Sequence, residues 1–137
     1  MCSRREVTWA LLCLCTVAAC GDGGGFPDAS EPPPQHPGSF KISWSLTTAS
    51  QQLLTCAQAN ATIVRVNIAD AVSGEHASAS FDCLLGTAVS GALFPATYDL
   101  SFELLGVAGT ITTAPPQTAM VLPSQTTQLG LVVFVVP

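Results

Sequence analysis

Phe40-Lys41-Ile42-Ser43-Trp44-Ser45-Leu46 decides the fold: a large apolar side chain falls on every second residue, with a polar one between. A period of two puts Phe40, Ile42, Trp44 and Leu46 on one face of an extended chain and Lys41, Ser43 and Ser45 on the other. The same period returns downstream. Val64, Val66 and Ile68 alternate with Arg65 and Asn67. After the turn signal Ser73-Gly74, Ala77, Ala79, Phe81 and Cys83 alternate with His76, Ser78, Ser80 and Asp82. Tyr98, Leu100, Phe102 and Leu104 alternate with Asp99, Ser101 and Glu103. Shorter β segments are predicted over 110–113 and 118–122, on either side of Pro115-Pro116. The run from Leu129 to Val136 is apolar on both faces and reads as a fully buried strand. Gln51, Gln52, Leu53 and Leu54 favour a helical turn within 50–55. About seven short strands separated by turn signals specify an all-β, single-domain β-sandwich over 39–137.

Composition limits what such a domain can do. The chain has 137 residues, 48% hydrophobic and only 9% charged, with a formal charge of −5. Disorder needs the opposite balance. Of the four basic side chains, Arg4 and Arg5 sit at the N-terminus, leaving Lys41 and Arg65 for everything else. Two cations cannot build a basic patch, which excludes nucleic acid as a partner and charge-driven adhesion to anionic lipid.

The first twenty residues have a different logic. Arg4 and Arg5 give a positive start, and 7–19 is apolar apart from Thr8 and Thr16. That run is short for a bilayer span, which takes about 20 residues. Val17-Ala18-Ala19-Cys20 then places small residues ahead of a cysteine. The tetrapeptide resembles the lipobox of bacterial lipoproteins. The resemblance implies a signal peptide over 1–19, cleavage between Ala19 and Cys20, and a diacylglycerol on the Cys20 thiol that holds the protein at a membrane. Gly21 after that cysteine is compatible with onward sorting to the outer membrane of a Gram-negative envelope. Ser3-Arg4-Arg5 also looks like the start of a twin-arginine motif, but Glu6-Val7-Thr8 continues it poorly and favours the general secretory route.

Residues 20–38 read as a lipid-anchored flexible stalk. Gly23-Gly24-Gly25 loosens the chain and the prolines at 27, 32–34 and 37 extend it. No Gly-Lys-Ser/Thr follows the glycines, so they do not form a phosphate loop. His36 is a solvated stalk residue.

Within the folded part, Val64-Arg65-Val66 followed by a turn and then Leu93-Phe94-Pro95-Ala96-Thr97-Tyr98 resembles carboxypeptidase-regulatory or transthyretin-like domains. Those carry a Leu-x-Pro-Gly-x-Tyr element, and here Ala96 stands in place of the glycine. The resemblance implies an Ig-like or transthyretin-like sandwich serving as an accessory or structural module; a fold carries no activity by itself.

No constellation of catalytic residues is legible. Asp99 and Glu103 share a strand face, but four residues put them about 13 Å apart, beyond the separation of roughly 5–9.5 Å that acid pairs in glycoside hydrolysis need. His76, Ser78, Ser80 and Asp82 have the residue types of a triad, yet same-face neighbours on one strand are nearly 7 Å apart and cannot hydrogen-bond in series. The two histidines lack ligand spacing and no Cys-x-x-Cys occurs, so no metal and no cofactor is expected. Asp70 and Glu75 offer too few oxygens for calcium. Asn60-Ala61-Thr62 matches a glycosylation sequon of no consequence in a bacterial envelope. Trp44 belongs to the Phe40–Leu46 series and reads as core rather than as a sugar-stacking platform.

Of six cysteines, Cys2, Cys13 and Cys15 leave with the signal and Cys20 carries lipid. Cys56 and Cys83 remain in an oxidising compartment, which predicts a disulfide between them. The expectation is therefore a non-enzymatic envelope lipoprotein presenting a small sandwich as a structural or protein-binding module. A glycan-binding or adhesive module, with envelope polysaccharide as partner, is the alternative.

Overall fold

The computed structural model describes residues 34–137. Eight strands follow one another: β1 (Ser39–Thr48), β2 (Leu53–Leu54), β3 (Ala61–Asp70), β4 (His76–Asp82), β5 (Thr87–Val89), β6 (Ala96–Gly106), β7 (Gly109–Val121) and β8 (Thr126–Val136). A 3-10 turn, Cys83–Leu85, separates β4 from β5. One sheet runs β4-β3-β6-β7, antiparallel throughout. The other is centred on β1, with β2 and β5 antiparallel along one margin and β8 parallel along the other.

The alternations become inner faces. Phe40, Ile42, Trp44 and Leu46 from β1 meet Val64, Val66 and Ile68 from β3 and Leu100, Phe102 and Leu104 from β6 in one core, joined by Val132 and Phe134 of β8. Each fully buried side chain of this size stabilises the fold by about 1.5–3 kcal/mol. Trp44 lies in this core; its Nε1 donates to the Cys83 carbonyl at 3.0 Å and its ring stacks on Phe81 at 6.3 Å.

Cys56 and Cys83 form the disulfide, with Cα atoms 6.0 Å apart, inside the usual range. Cys56 lies in the turn after β2, and Cys83 opens the 3-10 turn after β4. The bond therefore staples the two sheets together at one end of the sandwich.

Four details depart from the sequence reading. The segments 110–113 and 118–122 are a single strand, β7, which absorbs Pro115 and Pro116 at a register shift opposite Ser101. Prolines survive there because β7 is the outermost strand of its sheet and a bulge asks nothing of the missing amides. The 50–55 segment is not a helical turn: Gln51 adopts φ 64 and Leu53–Leu54 pairs with Leu46 and Thr47, since tertiary pairing overrides weak helix propensity. Merging two predicted strands and gaining two short ones, β2 and β5, brings the count to eight.

The fourth concerns β8. It is not buried on both faces. Val132 and Phe134 face the core, but Leu131 and Val135 on the opposite face are 59% and 49% exposed. Nor is it interior, for among the described residues its only ladder is the parallel one to β1. The turn before it carries the chain from one sheet to the other, so β8 lies beside β7 across the sandwich margin. Thr112 Oγ1 donates to the Val135 carbonyl at 2.9 Å and Thr127 Oγ1 to the Met120 carbonyl at 2.7 Å. Hydroxyls, not a backbone ladder, close this seam, and Pro115 and Pro116 offer no amide for one.

Just before β1, Gly38 exchanges backbone bonds with Leu93 at 2.9 Å in both directions. Any Cβ at Gly38 would collide with the Leu122 carbonyl, so only glycine fits. Near the same end, the Tyr98 hydroxyl donates to the Phe94 carbonyl at 2.8 Å. This geometry is that of the tyrosine corner found in Greek-key sandwiches, and it fixes the approach of the chain into β6.

Candidate functional site

Between the β3–β4 turn and the segment leading into β6 lies a concavity of about 400 Å³. Asp70 and Ile68 come from the end of β3, Glu75 from the turn, His76 and Ala77 from the start of β4, and Leu93, Phe94 and Tyr98 from the other wall. Local chemistry shapes both walls. Asp70 Oδ1 accepts the amides of Val72 and Ser73, each at 2.8 Å, which is an Asx-type turn closed by Gly74 at φ 72. On the opposite wall Phe94 precedes Pro95 and points outward, 72% exposed, while Tyr98 beneath it is buried.

The electrostatics follow from these contacts. The amides of Ser73 and Val72 hold the Asp70 carboxyl below its ordinary value. Burial raises Tyr98, and the nearby charges of Asp70 and Glu75 push it the same way. A phenol so placed keeps its proton at neutral pH. The arrangement offers carboxylate acceptors, an imidazole and one flat aromatic face, a set suited to a polyol or an amine; no hydroxyl here is paired with the imidazole as a nucleophile would be.

The Asp70 shift gives a pH test. A carboxyl whose folded value is depressed contributes stability above its unfolded value, near 3.8, and loses it as pH falls through the folded one. Asp70→Ala should therefore lower the melting temperature at neutral pH. The gap from wild type should close below about pH 4. Thermal melts across pH 2–7 check this, and an equal gap at both ends would assign the effect to the turn backbone alone.

The other residues weighed from sequence fall on solvated faces. Glu103 pairs with Arg65 at 3.4 Å, and Asp99 accepts from Thr118 at 3.0 Å. His76, which also borders the concavity, and Ser78, Ser80 and Asp82 line the outward face of β4 without any bond among them. Among the described residues no three of His, Cys, Asp or Glu gather in a way that would hold a metal. Nor is any helix there long and apolar enough to cross a membrane. Ala19 and Cys20, the cleavage and lipidation positions, and residues 21–33 of the stalk lie outside the described residues. His36 is exposed.

Sequence reasoning missed the concavity itself. Its one usable signal is Phe94, an aromatic outside every alternating run and directly before a proline. A second hollow of about 350 Å³ lies beside the disulfide, where Leu53 and Leu84 stand exposed over Trp44 and Leu54. Neither a protein-family model nor a curated protein matches this chain.

Proposed function

We propose that this chain is a membrane-anchored envelope lipoprotein, non-enzymatic, whose sandwich serves as a structural or protein-binding module. The observation that carries the reading is the Cys56–Cys83 disulfide. Bonds of this kind persist in oxidising compartments, and the lipobox-like Val17-Ala18-Ala19-Cys20 supplies the route there. The anchor would be lipid on Cys20, with residues 1–19 removed and 20–38 acting as the tether. Outer-membrane placement draws on Gly21 after the cysteine.

A second reading, glycan binding, is favoured by one feature: the exposed Phe94 ring beside the Asp70 and Glu75 carboxylates. Sugars are held by that pairing of an apolar face with acceptors. Retention of the protein on purified envelope polysaccharide, lost in Phe94→Ala, would select it. In-cell cross-linking with identification of the captured proteins addresses the first reading.

The anchor has its own test. Cys20→Ser should accumulate as an unprocessed precursor and lose all fatty-acid labelling, whereas the wild type is labelled and shortened. Normal cleavage of Cys20→Ser would instead mean an ordinary signal peptide.

A further inference from the structure

We propose that β4 is a self-pairing edge through which two copies of this chain join antiparallel into one continuous eight-stranded sheet. The inference is independent of the lipid anchor. It begins with the margins of the two sheets. β7 carries two prolines and lies against β8, and the outer margin of β8 is tied to β7 by the Thr112 and Thr127 hydroxyls. β1 is flanked on both sides, and β2 and β5 on its other margin are only two and three residues long. β4 is left as an outermost strand of seven residues in unbroken register, from Ile63↔Asp82 to Ala69↔His76.

Edge strands that stay solitary are blunted by lysine, proline, a bulge or a covering loop. The sequence of β4, His76-Ala77-Ser78-Ala79-Ser80-Phe81-Asp82, has none of the first three. It is instead self-complementary. An antiparallel twofold centred on Ala79 sets His76 opposite the second copy's Asp82, Ser78 opposite its Ser80, and Ala77 opposite its Phe81. Each polar pair then appears twice on the outer face, and imidazole–carboxylate and hydroxyl pairs can hydrogen-bond across such a contact. A closed twofold contact needs this self-matching and goes no further than two copies.

The side chains are ready for it. Neither His76, Ser78 nor Ser80 makes a side-chain hydrogen bond among the described residues, and Asp82 uses one oxygen, Oδ1, to cap the 3-10 turn at Leu84, leaving Oδ2 for an imidazole N–H.

The test uses the full chain with its own N-terminal segment, extracted in mild detergent and sized by sedimentation at micromolar concentration. The wild type should be dimeric. His76→Glu sets acid against acid at both ends of the contact and should weaken the dimer at least about tenfold, while His76→Lys sets a donor and a cation opposite the same carboxylate and should retain it. Ala79 is the one residue that faces itself, so Ala79→Cys should give a covalent dimer on a non-reducing gel, and Ala77→Cys should not. A monomeric wild type, or a dimer indifferent to His76→Glu, overturns the proposal. So does equal cross-linking at 77 and 79, which would mean a different register.

Discussion

Removing Leu129–Val136 should leave a chain with no cooperative thermal transition. The strand is an edge, and edges are often expendable, yet this one carries two core side chains, Val132 and Phe134, at 1% and 0% exposure. Truncating a buried phenylalanine alone costs about 3–5 kcal/mol, against a typical domain stability of 5–15 kcal/mol. Deletion also strips β1 of its parallel ladder from Ser43↔Leu131 to Thr48↔Val136, leaving backbone groups without partners beside the core. Circular dichroism on heating reads the result. Phe134→Ala provides the graded version: a folded protein destabilised by about 3–5 kcal/mol in urea. A deletion variant that melts sharply within a few degrees of the intact domain would show that β1 with its short antiparallel partners suffices.

Breaking the disulfide is the second large effect. Cys56→Ala with Cys83→Ala should lower stability by about 3.5 kcal/mol, the loop-closure estimate for a bond spanning 27 positions. The Cys83 site adds a packing loss, since its side chain is only 2% exposed and its carbonyl accepts the Trp44 indole. Denaturant unfolding with and without reductant measures the difference. Alkylation of the denatured, unreduced protein should give no label on Cys56 or Cys83. A reduced protein as stable as the oxidised one would mean that the turn after β2 is held by packing rather than by the bond.

The inner faces are legible in the sequence because strand geometry has a period of two and needs no knowledge of the partner. Phe40–Leu46, Val64–Ile68 and Tyr98–Leu104 each name their own buried side. The Cys56–Cys83 pair was legible by elimination among six cysteines. Margins were not. Whether Leu129–Val136 lies inside a sheet or at its edge depends on which strand it neighbours, and its apolar residues satisfy either arrangement. The two-residue β2 and three-residue β5 are too short for any period to register, and they exist only because β1 offers them a ladder.

The candidate site divides the same way. Asp70-Ala71-Val72-Ser73-Gly74 announces a turn by composition alone, because an aspartate can close it on its own backbone. Nothing in that stretch says that Phe94 and Tyr98, more than twenty residues downstream, will form the facing wall. Local sequence specified the all-β class, the inward residues of β1, β3 and β6, the turn at 70–74 and the disulfide. The tertiary structure alone decided the sheet order, the exposed face of β8, the hydroxyl seam with β7 and the bare edge at β4. Periodicity and turn chemistry are local properties of the chain, whereas a margin or a hollow is a relation between segments that meet only when folded.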